Sequence, residues 1–301
     1  MITMRDAFFD EIYKISQIDR DVMIVSADFS APSLNKFVKD FPNQYVNVGI
    51  AEQSMITLAT GLALEGKKVF VYAIMPFVTL RCFELIKVDV SLMNIPMRIV
   101  GVGAGFSYEE SGATHHSTED ISVMRVLPNL TILSPSDSIM AGEFAKIACQ
   151  MNTPVYIRLD RKILPTIYRK GTNFSDGLTK LKDGETYIIA TGNMVHRALE
   201  VSEKIGAGVI DLYKIKPINE RLLLDSISKA KRVVTLEEHL LAGGLGSIVA
   251  EIFTDNNVRI PLKRIGVHDK YYYLYGGRSN IQSILGLDEN SVTKTITEWV
   301  K

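Results

Sequence analysis

Tyr45-Val46-Asn47-Val48-Gly49-Ile50-Ala51-Glu52-Gln53 is where the chain declares its fold. A short apolar run, Tyr45 to Val48, breaks at a glycine and passes at once into helix-period residues from Glu52 to Leu64. Strands that give way to helices in this manner build a parallel sheet covered on both faces. The alternation extends in both directions. Asp21 to Ser26, Val69 to Tyr72, Met97 to Val102, Leu130 to Leu133 and Val155 to Leu159 read as further buried strands. Met4 to Gln17, Val78 to Met93 and Ser136 to Gln150 read as helices, the last with Ser136 as its cap and Asp137 in its first turn.

From Arg158 the pattern weakens. The stretch from Tyr168 to Gly184 carries three glycines and four Lys or Arg with little apolar periodicity, which predicts a linker. A second alternation follows. Thr186 to Ala190, Gly208 to Leu212 and Arg232 to Leu236 are strand-like, while Val195 to Ile205, Ile218 to Ala230, Gly246 to Phe253 and Ser291 to Lys301 are helix-like. The expected architecture is α/β with two doubly wound domains, 1–167 and 185–301, joined by 168–184. The second is smaller and carries a mixed sheet.

Composition sets the outer bounds. A length of 301 residues suits two domains, each with a core of its own. Hydrophobic residues make up 47% and charged residues 23%, which argues against disorder. Lys plus Arg and Asp plus Glu both count 34, so the basic excess of a nucleic-acid binder is missing. Uncharged stretches reach only roughly 12 residues, short of the ~20 that cross a bilayer. Arg5, Asp6, Asp10 and Glu11 mix charge through the first eleven residues, unlike a signal peptide. Cys82 and Cys149 sit in apolar surroundings without metal-ligand spacing and read as reduced core residues of a cytoplasmic protein.

Ligands of open parallel sheets bind outside the carboxyl ends of the strands. Polar or glycine-rich sequence follows the first domain's strands at those points: Ser26-Ala27-Asp28-Phe29-Ser30, Gly49 to Gln53, and Gly103 to His116. On this rim Glu52 stands in the first turn of an otherwise apolar helix, a place where a carboxylate is favoured by the helix dipole alone. Its surroundings say more. Gly49-Ile50-Ala51-Glu52-Gln53, after the Tyr-Val-Asn-Val strand and before Met-x-x-x-Ala-x-Gly-Leu-Ala, resembles the pyrimidine-binding domain of transketolases and deoxyxylulose phosphate synthases. Ser111-Gly112-Ala113-Thr114-His115-His116 resembles the transketolase Gly-Pro-Thr-His-Gln. Ala190-Thr191-Gly192, Glu237-Glu238-His239 and Gly243-Gly244-Leu245-Gly246 are similar to the family's last domain, so the likeness covers nearly the whole chain.

The resemblance implies a cofactor, thiamine diphosphate, and a reaction, transfer of a two-carbon ketol unit between sugars. It implies that Glu52 hydrogen-bonds N1′ of the aminopyrimidine. A carboxyl in a largely apolar pocket is easier to protonate and can share a proton with that nitrogen, which promotes loss of the proton from C2 of the thiazolium. Asp28 matches a residue beside the cofactor. Phe77 matches the first aromatic of Ser/Thr-Phe-x-x-Phe, which packs on the aminopyrimidine; the second is Leu80 here, and Phe83 is placed to compensate. His115 matches the active-site histidine that binds sugar hydroxyls and moves protons. His116 stands at the glutamine, and Arg161, in Leu-Asp-Arg-Lys-Ile-Leu-Pro, matches an arginine that grips a terminal phosphate.

Two departures affect the substrate. Gly103 stands where transketolases carry a second substrate-binding histidine, and Ser111 replaces the aspartate before Gly-Pro-Thr-His. Their loss predicts a modified sugar rather than the usual pentose phosphates. A third concerns assembly. Gly-Asp-Gly followed after roughly 25–30 residues by Asn, the family's Mg²⁺–diphosphate motif, is absent from the sequence. The expectation is therefore a transferase of two kinds of chain, two copies of each. This chain would contact a second copy of itself, supply no metal ligand, and pair with an N-terminal subunit that holds Mg²⁺ and the diphosphate. The beta subunit of a 2-oxo acid decarboxylase shares the layout and is the alternative, as is a non-catalytic partner subunit. A phosphate loop at Gly243 to Gly246, or a dinucleotide site at Gly101-Val102-Gly103-Ala104-Gly105, lacks the spacing each needs.

Overall fold

A computed structural model describes residues 2–301. The first unit is built on strands β1 (Val22–Ser26), β2 (Tyr45–Asn47), β3 (Lys68–Ile74), β4 (Arg98–Val102), β5 (Thr131–Leu133) and β6 (Val155–Leu159). The second holds β7 (Leu178–Lys182), β8 (Thr186–Ala190), β9 (Gly208–Leu212), β11 (Arg232–Leu240) and β12 (Leu262–Val267). Between β9 and β11 a short strand, β10 (Lys214–Lys216), leaves its own unit and joins the first sheet.

The first sheet runs β10-β5-β6-β4-β3-β1-β2, parallel throughout except where β10 lies antiparallel on β5. Strands β1, β4, β5 and β6 are buried at every residue, which is why their sequences are continuous apolar runs and do not alternate. The helix Met4–Ser16 packs on the helix Ser138–Gln150 over one face, and the helix Glu52–Leu64 covers the other. Because β1 pairs with β2 on one side and β3 on the other, the chain reverses direction across the sheet at β1. Such a reversal opens a crevice at the strands' carboxyl ends. The second sheet, β12-β11-β8-β9-β7, is parallel except for β7 and thus mixed.

Three expectations need correction. The stretch 168–184, read as linker, contains β7. Its Leu-Thr-Lys-Leu-Lys sequence looks polar because it is an edge strand with one covered side. The segment from Val78 to Met93 is not one helix: a turn Met75–Val78 is followed by Phe83–Leu85 and a wide π-helical stretch, Ile86–Leu92. Pro76 opens the turn, and the Thr79 hydroxyl bonds back to the Met75 carbonyl at 2.7 Å and competes with the helix ladder. At the helix Ser138–Gln150 the cap is Asp137, whose carboxylate accepts from the Met140 N–H at 2.8 Å. Ser136 instead donates to the buried Asp211 at 2.6 Å.

The units are fastened where the site lies. Arg278 donates to Asp160, just past β6, at 2.7 Å and to Glu238 of β11 at 2.6 Å. The same Glu238 carboxylate accepts from the Phe106 N–H at 3.0 Å. Gly105, with φ +58, leaves room for it: a Cβ there would lie 2.0 Å from Glu238 Oε2.

Candidate active site

Glu52 is placed by the turn that follows β2. Gly49 takes φ +73, and the Asn47 side chain accepts from the Gly49 and Asp28 N–H groups, each at 2.9 Å. One amide thus ties the β1 and β2 loops together. The helix then starts at Glu52, which is only 4% exposed. Its pocket is not as apolar as the sequence suggests. Arg81 Nη1 donates to Glu52 Oε2 at 2.6 Å, and the same guanidinium lies over the Phe77 ring, 4.3 Å from its centroid.

Phe77 follows β3 in the turn that Pro76 begins, and its other neighbour is His115, edge-on with ring centroids 5.0 Å apart. His115 comes from the loop after β4. That loop is closed by a pair of backbone hydrogen bonds between Gly105 and Ser117 and turned at Gly112, φ +74. Its ring bonds Thr114 Oγ1 at 2.9 Å through Nδ1. Burial pushes the imidazole below its ordinary range, so it is neutral at neutral pH and can both give and accept a hydrogen bond. Beyond His115 stands Tyr108, at 6.1 Å, with the Arg161 guanidinium 4.6 Å from its ring centroid. A continuous row results: Glu52, Arg81, Phe77, His115, Tyr108, Arg161. It draws on the loops after β2, β3, β4 and β6.

Of the residues singled out in the sequence, Glu52, Phe77, His115 and Arg161 lie in this row. Asp28 is exposed on the neighbouring loop with φ +48, and Ser111 is exposed at the turn before Gly112. Leu80 is 41% exposed, and Phe83 is half-buried against the core and not stacked with Phe77. His116 departs from expectation. It is buried, packs edge-on against Phe106 at 4.9 Å, and its Nε2 has no partner, so it faces the junction of the units while its neighbour faces the rim. Sequence reading missed Arg81 and Tyr108. Arg81 lay four residues past Phe77 in what looked like plain helix. Tyr108 could have been found from its distance to Gly103, since a vanished side chain invites a bulky one nearby.

The glycine run Gly243 to Gly246 holds no phosphate. Glu237 takes that place itself, accepting from the Leu245 and Gly246 N–H groups at 2.6 and 2.8 Å. A Cβ on Gly244 would lie 2.1 Å from its carboxylate. Cys82 is buried, with its thiol pushed up to about 12 by burial, and is inert.

These residues fit one end of thiamine diphosphate. Glu52 offers a buried carboxyl for a ring nitrogen, and Phe77 an aromatic seat. Among the described residues no group of three His, Cys, Asp or Glu is placed to hold a metal ion. Fold and rim together define a two-unit α/β chain with a row of aromatic and ionisable side chains at the carboxyl ends of its first sheet. Residues 1–166 match the family profile described as transketolase, pyrimidine binding domain, and residues 177–292 match transketolase, C-terminal domain. The chain belongs to the transketolase family, whose members depend on thiamine diphosphate.

Relatives narrow the comparison. An apulose-4-phosphate transketolase subunit from Phocaeicola vulgatus is 36% identical over 311 residues, covering 100% of this chain and 98% of that one. A 6-deoxy-6-sulfo-D-fructose transketolase subunit from a Clostridium species is 35% identical over 275 residues, covering 88% and 85%. A solved structure described as a split gene transketolase, inactive beta4 tetramer, superimposes with a TM-score of 0.88 at 32% identity, covering 99% and 97%.

Proposed function

We propose that this chain is the C-terminal subunit of a two-chain transketolase that moves a two-carbon ketol unit between sugars, at least one of them modified. The observation that carries the reading is the single rim on which Glu52, Phe77, His115 and Arg161 meet, on a chain whose sequence has no Gly-Asp-Gly…Asn motif. The N-terminal subunit would supply that motif, with Mg²⁺ and the diphosphate. Two relatives named as subunits, each for an unusual sugar, support both halves of the reading.

When bound, thiamine diphosphate supplies a carbon nucleophile and an electron sink for cleavage of the ketose. The chain's own residues do the rest. Glu52 presents a buried carboxylate as acceptor at the aminopyrimidine edge, and burial removes water from it. Phe77 orients the ring. His115, neutral at working pH, hydrogen-bonds hydroxyls beside the bond that breaks and moves a proton to or from them. Arg161 binds the anionic end of the sugar, where a planar guanidinium suits a tetrahedral oxyanion.

Ile50, two residues before Glu52, is 79% exposed, and Leu58 on the helix that Glu52 opens and Leu80 beside Arg81 are each 41% exposed. Apolar surface of this kind supports burial against another polypeptide.

The test is reconstitution. This chain, a partner subunit carrying Gly-Asp-Gly and Asn at family spacing, thiamine diphosphate and Mg²⁺ should together consume a ketose phosphate and lengthen an aldose acceptor by two carbons, and neither chain alone should do so. Full activity of this chain without a partner, or decarboxylation of a 2-oxo acid by the pair, would overturn the proposal.

A further inference from the structure

Gly103 and Tyr108 are a matched pair. The glycine follows β4 with φ +108, and a Cβ on it would lie 2.4 Å from both Cδ2 and Cε2 of Tyr108. Real side chains do not approach that closely, so the tyrosine ring fills the space that any side chain at position 103 would need. The ring is 7% exposed and its position is set on three sides: Gly103 beneath, His115 beside it at 6.1 Å, and the Arg161 guanidinium 4.6 Å from its centroid. Arg161 itself is exposed and makes no ion pair with a carboxylate among the described residues, whereas Lys162 next to it is paired with Glu109. The cation is therefore held by an aromatic face and keeps its charge available.

From this we propose that Tyr108 is the residue that sets substrate choice, an inference that rests on the transketolase reading and deepens it. The ring does two things. It holds the Arg161 guanidinium flat, oriented for a tetrahedral oxyanion on the sugar's terminal carbon, either a phosphate or a sulfonate. It also occupies the space that a side chain at position 103 would take, so no hydrogen-bonding group at that position stands between the anion site and His115. A sugar hydroxyl at that point is left without a partner from position 103. The sugar it suits carries its anion at one end and lacks a hydroxyl, or turns it away, on the carbons next to that end. Binding is read there by shape, and hydroxyl recognition is left to His115 at the reacting end.

The experiment uses the reconstituted two-chain enzyme and measures KM and kcat separately for ketose phosphates and ketose sulfonates, with and without hydroxyls next to the anion. Tyr108→Leu should raise KM for the preferred anionic ketose about tenfold, the size of a partly buried cation–π contact with its packing, and change kcat little. Tyr108→Phe, which keeps the ring, should rescue KM. The double variant Gly103→His, Tyr108→Val should fold and shift preference toward sugars with a hydroxyl beside the anion, while Gly103→His alone should be strongly destabilised by the clash. If Tyr108→Leu fails to fold, Tyr108→Met serves instead: it fills much of the same volume without an aromatic face for Arg161, and KM should again rise about tenfold. An active wild-type enzyme whose KM and sugar preference are unmoved by these changes would overturn the role of Tyr108 alone. A wild-type pair that transfers no ketol unit from any ketose would overturn the function it rests on. Whether the sulfonate or the phosphate gives the lower KM identifies the oxyanion.

Discussion

Glu52 and Arg81 form the tightest polar contact of the rim, and each sets an expectation for the other. Glu52→Gln keeps the shape of the side chain and an oxygen for Arg81 but cannot share a proton with a ring nitrogen. Turnover by the reconstituted enzyme should fall by about two to four orders of magnitude while the circular dichroism spectrum stays that of the wild type. Retention of more than half the rate would remove Glu52 from the chemistry. His115→Asn should lower kcat/KM by roughly a hundredfold. Because burial holds the imidazole below its ordinary value, the acid limb of the wild-type pH profile should fall below the usual histidine range and vanish in the variant. Asp211 offers a test of a different kind. It is fully buried, accepting from Ser136 at 2.6 Å and from the Tyr168 hydroxyl at 2.9 Å, and burial pushes it up to about 7. A carboxyl raised above its unfolded value of 3.8 stabilises the fold fully below that pH and loses its contribution as pH rises through 7. Asp211→Asn should therefore gain on the wild type in melting temperature between pH 5 and pH 8. A constant difference would refute the assignment.

Strands were more legible than the segments between them, for a physical reason. All six strands expected for the first unit are present: burial makes β1, β3, β4, β5 and β6 apolar runs, and the half-buried edge strand β2 was marked by the glycine and helix that follow it. Edge strands β7, β10 and β12 escaped, since one side meets water or the opposite unit and their lysines dominate the reading. At the site, Glu52, Phe77, His115 and Arg161 were legible as motif residues on loops. Arg81 and Tyr108 were not, because they are defined by which ring they face, and only the folded loops show that. Strand β6 carries an element-scale prediction. Arg158 points from it into the core and grips Asp120, bonding Oδ1 at 3.1 Å and Oδ2 as well, while the Tyr156 hydroxyl adds a bond at 2.8 Å. Both charges are at most 5% exposed. Arg158→Met would strand a buried carboxylate and should cost about 3–5 kcal/mol in urea unfolding, whereas changing Arg158 and Asp120 together to apolar residues should cost much less. Equal losses in the single and double variants would refute the pairing.

Seen whole, the chain carries exposed apolar side chains next to the row of site residues, Ile50 and Leu80 among them, with formal charge balanced at 34 of each sign. Recognition of a partner through these side chains should depend on shape and apolar contact more than on long-range charge. Ile50→Asp, beside Glu52 but outside the row of site residues, should weaken assembly at least tenfold in analytical ultracentrifugation and leave the melting temperature of the lone chain within about 2 °C. Unaltered assembly would place the interface elsewhere.

Strand β10 makes the two units inseparable in a practical sense. Its residues belong by sequence to the second half yet complete the hydrogen-bond ladder of the first, and the Lys216 ammonium donates to the carbonyls of Arg125 and Leu127. A gene fragment stopped after residue 167 would be synthesised with β5 bare along one side, an adhesive margin that invites other copies to stack onto it. The two halves therefore fold as one piece, and a cut at the waist leaves neither of them whole.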